Sequence, residues 1–440
     1  MTAAVGSAPT VAAEPAADED PELDEVYRVD AIIIEGLLRT KRHVVERELL
    51  FEEGDIASVA DVEESAQRLR NTQIFRSVEY EIVDQRIDAF DAPVDGIEGP
   101  EGRLVRVRVE ERWTLSAFFQ FGQGGDTFRL LVGTMDTNLL GRYQHAEVMY
   151  SRLGRTNSFS GIYRNPRFLD ARQQLSMQAA LSNRLYTFYD QDGAIAGGFL
   201  RRRRHGSMSV EREWRRGVAT GARTSYSADT FNYGAGDDIR REQQEAAAGL
   251  PAAMQTLQVG VNARFGQLDR DEYRQEGTVF TAGVYQNFHF GDVEPRSSQF
   301  RSSFRYFADL PRDSTFGVRG QMGFHTTDLE HMYFSAGGLD AIRGTLDMRH
   351  RGPHHWLGNV ELRVPSLNSH VLVVQHVAFV DAVGVTDHAF QIFGLTAATT
   401  GVGLRVIARD FAGLIFRVDY ALPAFGADGP RLSFGAGQFF

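Results

Sequence analysis

The chain has 440 residues, a formal net charge of −11, no cysteine, and 31 Phe, 14 Tyr and 3 Trp beside 44 Gly. The lack of cysteine excludes disulfide frameworks and thiolate metal sites, and no run reaches the ~18 consecutive apolar residues of a membrane-spanning helix. Seven carboxylates and no Lys or Arg fall in residues 1–26, leaving −4 on the other 414, so nothing in the charge points to a nucleic-acid partner.

Residues 1–26, rich in Ala, Pro, Glu and Asp, read as a disordered acidic leader. No basic start with an apolar core is present there, so an export signal is expected upstream of Met1. A short apolar strand follows over residues 29–34, ending at Gly36. Val44, Val45, Leu49 and Leu50 then stand at helical spacing. Ser58 is a good N-cap for a second helix whose stripe is Val62, Ala66 and Leu69. Two strands, begun by Phe75, Val78, Tyr80 and Ile82 and by Leu104, Val105, Val107 and Val109, are joined by an acidic Gly/Pro linker at 85–102. The expected order over 27–112 is strand, helix, helix, strand, strand, a small α+β module.

From Trp113 to Phe440 the pattern changes to period two. Phe316, Val318, Met322 and Phe324 alternate with Gly317, Arg319, Gln321 and His325; Val360, Leu362 and Val364 alternate with Asn359, Glu361 and Arg363; Leu414, Phe416, Val418 and Tyr420 alternate with Ile415, Arg417 and Asp419. A soluble sandwich and a membrane barrel both alternate, and alternation alone does not say which face is inside. Two features favour the barrel. Arg, Glu and Gly crowd one face while Phe and Leu crowd the other, as around a wet lumen. Short turns at 309–313 and 408–412 also interleave with longer excursions at 183–196, 232–252, 326–355 and 382–398. Sixteen strands are expected between 113 and 440, an all-β transmembrane barrel.

Several motifs resemble those of the BamA-type superfamily of outer-membrane protein assembly and translocation proteins, a POTRA (polypeptide-transport-associated) domain followed by a bacterial surface antigen barrel. In the front module these are IIIEG at 32–36, RELLFEEGD at 47–55 and IFRSVEYEI at 74–82. In the barrel they are DTNLLGRYQ at 136–144, YRNPRFL at 163–169, GGLDAIRGT at 337–345, FVDAVG at 379–384 and GVGLR at 401–405. Gly384 departs from the family pattern, falling three residues after Asp381 and not two.

The resemblance implies a loop-borne Arg-Gly pair, Arg343 and Gly344, folded into the lumen and locked on Asp381; the bland alternative is a solvated loop arginine. Glu361 and Arg405 either extend this lumen lock or are merely lumen-facing polar residues. A terminal strand over 432–440 is expected to carry Phe434 and Phe440 on the lipid face and Gly435 and Gly437 on the other. In the family this strand forms a weak lateral seam with the first; otherwise the glycines only make room for the loop. His350, His354 and His355 lie in one long loop without a nearby carboxylate and are not expected to hold metal.

No Gly-x-Ser-x-Gly, phosphate loop or His-Glu-x-x-His occurs, so neither catalysis nor a cofactor is expected. The implied function is insertion or translocation of client proteins. The implied partners are unfolded outer-membrane or secreted clients, the lipid bilayer and periplasmic accessory proteins, with the barrel in the bacterial outer membrane and the POTRA domain in the periplasm. A passive or ligand-gated channel and a barrel-associated enzyme are the rival readings.

Overall fold

The computed structural model describes residues 26–83, 102–170, 172–190, 194–233, 249–271, 274–338, 341–391, 393–408, 415–426, 428–437 and 439–440. The leader before Val26, the linker before Gly102 and the turn after Ala408 lie outside these residues. The chain divides into two compact units, 1–112 and 113–440.

In the first unit, β1 (Val26–Glu35), α1 (Arg42–Glu46), β2 (Ile56–Ser58), α2 (Val59–Asn71), β3 (Phe75–Val83) and β4 (Gly102–Glu111) form a sheet of order β2-β1-β4-β3 with the helices packed on it. The apolar alternation of β4 buries Val105, Val107 and Val109, and Val44, Val45 and Leu69 of the helices are buried as well. Ser58 caps α2 through a reciprocal box, its Oγ accepting from the Asp61 N–H at 3.2 Å while its own N–H donates to Asp61 Oδ2 at 2.9 Å. The first helix is only five residues long, and the short β2, which was not expected, pairs with the start of β1. Gly54, with φ +98°, turns the chain into that pairing.

The second unit is a closed barrel of sixteen strands. Its first half is β5 (Leu115–Gly124), β6 (Thr127–Asp136), β7 (His145–Leu153), β8 (Thr156–Asn165), β9 (Gln173–Tyr189), β10 (Ile195–Arg215), β11 (Val218–Asn232) and β12 (Met254–Asp271). Then come β13 (Arg274–Phe290), β14 (Arg296–Leu310) and β15 (Ser314–His325), followed by a loop bearing a small hairpin of β16 (Phe334–Ala336) and β17 (His350–Gly352). The wall resumes with β18 (His354–Asn368), β19 (Leu372–Thr386), β20 (Ala397–Ala408), β21 (Ile415–Phe425) and β22 (Arg431–Ala436), which meets β5. Closure pairs the backbone polar groups along the wall strands, as a strand-built membrane crossing requires, with the β22–β5 junction paired over only two residue pairs among the described residues.

Side chains alternate as the sequence implies. Val360, Leu362 and Val364 are exposed on the outer face, while Asn359, Glu361 and Arg363 between them are buried inside. The inward face is less uniformly polar than expected: Phe199, Phe307 and Phe379 are buried in the lumen, Phe379 and Phe307 against the guanidiniums of Arg343 and Arg363 and Phe199 against Tyr186 and Phe188. The 183–196 excursion is mostly strand, since β9 runs to Tyr189 and β10 starts at Ile195. Tyr186, Phe188 and Phe199 cluster on its inner side and supply the packing that keeps those strands paired.

The terminal strand also differs from expectation, ending at Ala436. Gly437, with φ +90°, donates its N–H to the Ile415 carbonyl at 2.7 Å and turns the chain. Phe440 consequently does not lie on the lipid face. Its ring meets Phe307 inside, with centroids 5.9 Å apart, and its carbonyl oxygen accepts from Arg363 Nη2 at 3.1 Å.

Candidate functional site

The loop between β15 and β18 enters the barrel. Its Ile342 is fully buried against Ala336, Leu357, Val383 and Ala397, inward residues of the loop and of β18–β20. Further along the loop, the Leu346 N–H donates to Asp428 at 2.9 Å, the Arg349 guanidinium pairs with Asp428 at 3.0 Å, and the Asp347 N–H donates to the Gly125 carbonyl at 3.1 Å. These contacts anchor both sides of the segment that carries Arg343.

Arg343 is 1 % exposed. Its Nε and Nη2 each donate at 2.8 Å to the two oxygens of Asp381, a forked contact, and its backbone N–H adds a third bond at 3.0 Å. Nη1 donates to Glu361 Oε1. The guanidinium lies between two rings, 3.5 Å from the centroid of Phe379 and 3.9 Å from that of Phe439. Asn359 Nδ2 completes the cage, donating to Asp381 Oδ1 at 2.8 Å and to the Ala341 carbonyl at 2.9 Å.

Glu361 and Arg405 belong to the same cluster. Glu361 Oε2 accepts from Arg363 at 2.9 and 2.7 Å, Arg405 Nη2 stands 3.6 Å from Glu361 Oε1, and Arg405 Nη1 donates to Asp419 at 2.7 Å. Three guanidiniums, of Arg343, Arg363 and Arg405, thus face the three carboxylates of Glu361, Asp381 and Asp419, all buried. Neutral pairing of this kind is what lets so many charges sit out of water.

The glycines of the site make room. Gly344 has φ +83°, and a Cβ there would lie 2.9 Å from that of Ala421. A Cβ at Gly401 would meet the Phe379 ring at 2.5 Å, and one at Gly403 would strike the Asp419 carboxylate and Arg405. Gly384 gives way to the Trp356 indole, whose Nε1 donates to the Gly394 carbonyl at 3.2 Å.

At the seam, β22 and β5 share the pairs Phe434↔Gln123 and Gly435↔Gly122 among the described residues, against six pairs between β21 and β22. Gln120 Nε2 adds one bond to the Ala436 carbonyl at 2.5 Å. Gly435 allows close approach, since a Cβ would stand 2.9 Å from the Phe121 carbonyl oxygen. Outside, the Phe121 ring lies 6.2 Å from Phe434 and 6.3 Å from Phe416.

His350 sits on the small hairpin and His354 and His355 begin β18; among the described residues no three metal-ligating side chains converge. Sequence reasoning missed Asn359, Arg363, Phe379, Asp419 and Phe439 as members of the cluster. Asn359 and Arg363 share strand and inward parity with Glu361, Phe379 shares them with Asp381, and Asp419 stands in the polar row of β21 with Arg417, signals that were available. Phe439 was not accessible that way, because its position depends on the turn at Gly437.

Comparison with known proteins follows this geometry. A family model described as the surface antigen variable number repeat, POTRA, matches residues 27–112, and the Omp85 superfamily domain matches residues 138–440. The outer membrane protein assembly factor BamA of Nitratidesulfovibrio vulgaris is 28 % identical over 169 residues, 38 % of this chain and only 20 % of that protein's length. Among solved structures, BamA from Haemophilus ducreyi lacking POTRA domains 1–3 superposes with a TM-score of 0.58 at 16 % identity, over 94 % of this chain and 84 % of that one. CdiB from Acinetobacter baumannii gives 0.61 at 12 % identity, over 93 % and 74 %. These likenesses show the fold, and the domain match shows the family: the chain is an outer-membrane β-barrel protein with a POTRA domain and belongs to the Omp85 superfamily.

Proposed function

We propose that this protein delivers unfolded client proteins into or across the outer membrane, by positioning and bilayer perturbation, without a catalytic group. The observation that carries the reading is the seam, where among the described residues the wall is held by two residue pairs and two side-chain bonds, Gln120 to the Ala436 carbonyl and Arg431 to Asp126. A client strand adding to the exposed edge of β5 or β22 gains main-chain hydrogen bonds that do not depend on its sequence. The POTRA module, on the periplasmic side, offers the nine-residue edge of β3 for the same kind of capture. Arg343, Gly344, Asp381, Glu361 and Arg405 act as a lumen lock, fixing the loop to β18–β21 so that the wall beside the sliding edge stays rigid. Periplasmic accessory proteins would hand clients to the module.

The test uses the chain's lack of cysteine. Gln123→Cys with Phe434→Cys places one thiol on each side of the seam at a facing pair, where Cβ atoms stand about 4.5–5.5 Å apart. Oxidation should stop client delivery and reductant should restore it. Undiminished delivery by the fully crosslinked barrel would overturn the reading.

A further inference from the structure

Residues 201–204 are four consecutive arginines, and strand alternation sends them to opposite sides of the wall. Arg201 and Arg203 face inward and both clamp Asp229, at 2.7–2.9 Å. Arg202 and Arg204 face outward and are exposed, and no protein partner holds either of them among the described residues. An unpaired cation on the lipid face is costly at mid-bilayer and nearly free at the interface.

Their height on the wall is set by β10 itself. Its outward residues between Arg204 and Arg212 are Gly206, Met208 and Val210, and Arg212 stacks on Trp214 at 4.5 Å. The two arginines are 212 − 204 = 8 residues apart. At ~3.3 Å per residue and ~40° of tilt that spans about 20 Å of membrane normal, close to the ~25 Å apolar band of such barrels. Arg204 therefore marks one boundary of the band and Arg212 the other. β10 is the sixth barrel strand and runs back toward the rim where Leu115 begins the first, so Arg202 and Arg204 lie near the opposite, far rim.

Arg202 continues a polar row across the sheet. It faces Asn183 on β9 and Thr230 on β11; the Asn183 amide donates to the Asn157 carbonyl at 2.8 Å; Asn157 faces Arg152 on β7, which is exposed and outward. The outward described positions of β7–β11 at this level hold these three arginines and no carboxylate. Three strand spacings of ~4.8 Å put Arg152 about 14 Å from Arg202, too wide for one phosphate.

Just inside the band, Gly161, Ala179 and Gly206 face one another in a row bounded by Phe159 and Leu181, forming a shallow groove that ends at Arg204. Neither glycine is needed by its backbone, since neither has positive φ. Neither is needed by a neighbour: a Cβ at Gly206 would meet nothing within 4 Å, and one at Gly161 only a carbonyl oxygen at 3.8 Å. Glycine weakens a strand, so an open groove kept this way fits an occupant from outside the chain.

We propose that this outward face binds a membrane lipid carrying two phosphate groups in the far-rim leaflet, with its phosphates on Arg202, Arg204 and Arg152 and an acyl chain along the Gly161–Gly206 groove. The inference rests on the membrane placement argued above. The full chain is reconstituted in dioleoylphosphatidylcholine vesicles, where heat-modifiable gel migration reports insertion independently of any anionic lipid. Diphosphoryl lipid A, its monophosphoryl form, dioleoylphosphatidylglycerol and inorganic diphosphate are then added in turn, and retained lipid is read by native mass spectrometry.

Diphosphoryl lipid A should be retained most. Arg202→Gln with Arg204→Gln should lower its affinity at least about tenfold, Arg202→Lys with Arg204→Lys should keep most of it, and Arg212→Gln at the other boundary should leave it unchanged. Gly206→Leu, which has room to fold, should reduce lipid retention by filling the groove. Equal retention by the double glutamine variant, retention undiminished by Gly206→Leu, or complete displacement by inorganic diphosphate would overturn the site, the last by showing an adventitious anion patch only. Failure to insert into the neutral vesicles would instead overturn the membrane reading.

Discussion

Arg343 is held inside the barrel by charged partners on neighbouring strands. With Arg343 1 % exposed and Asp381 fully buried, removing either leaves an unpaired charge in the lumen. Arg343→Ala and Asp381→Ala should each lower barrel stability by about 3–5 kcal/mol, and the double variant should cost clearly less than the sum. Arg343→Lys should restore only part, since an ammonium cannot make the forked contact. Strict additivity in a denaturant-unfolding cycle would remove the pair from the proposed lock. Gly344→Ala forces an alanine to φ +83° and against Ala421, so it should weaken the loop's seating by about 1–3 kcal/mol. Faster proteolysis of residues 337–349 is the readout.

At the scale of elements, the POTRA module holds its β1–α1 connection through one carboxylate. Glu111, at the end of β4, accepts backbone N–H bonds from Leu38 at 3.0 Å, Arg39 at 3.0 Å and Thr40 at 2.7 Å. Burial pushes its pKa up, but these donors outweigh burial and hold it below the usual carboxylate value. A depressed pKa stabilises the fold above the unfolded value, and that stability is lost as pH falls through the folded value. Amide exchange at residues 38–40 should therefore accelerate, relative to intrinsic rates, once pH drops below the usual carboxylate range. In Glu111→Gln the acceleration should be absent. Ser58→Ala, which removes the cap of α2, should cost about 1 kcal/mol, seen as fraying of the first turn by exchange.

For the whole molecule, closure of the sheet is the dominant fact. A barrel with its strand edges paired resists detergent and unfolds only on heating. The protein should migrate faster on a denaturing gel before boiling than after, and protease in detergent should leave a core fragment starting near Trp113. Uniform digestion would contradict the closed barrel. The seam is where this closure is thinnest, so unfolding force applied to the wall should open β22 from β5 before any other pair.

Period-two alternation from Trp113 onward was enough to read a strand-built unit, and the Ser58 cap with its apolar stripe was enough to place α2, because both depend on neighbours within a few residues. The Arg-Gly, Phe-x-Asp and Gly-x-Gly-Leu-Arg motifs marked Arg343, Asp381 and Arg405, which the structure brings into one buried cluster. Alternation also fixed that Asn359, Glu361 and Arg363 share one face, though not what they meet. Only the closed structure decided that Arg343 sits between Phe379 and Phe439, and that Asp419 pairs with Arg405. It also decided that Gly401 and Gly403 are small to admit a ring and an ion pair. Those contacts join strands and a loop up to about a hundred residues apart. Phe440 is the clearest case: its residue type and parity place it in lipid, and one left-handed glycine three residues earlier turns it onto the lumen arginines. A strand pattern carries no information about where the strand stops, and that end point is set by what the chain can pack against once the barrel has closed.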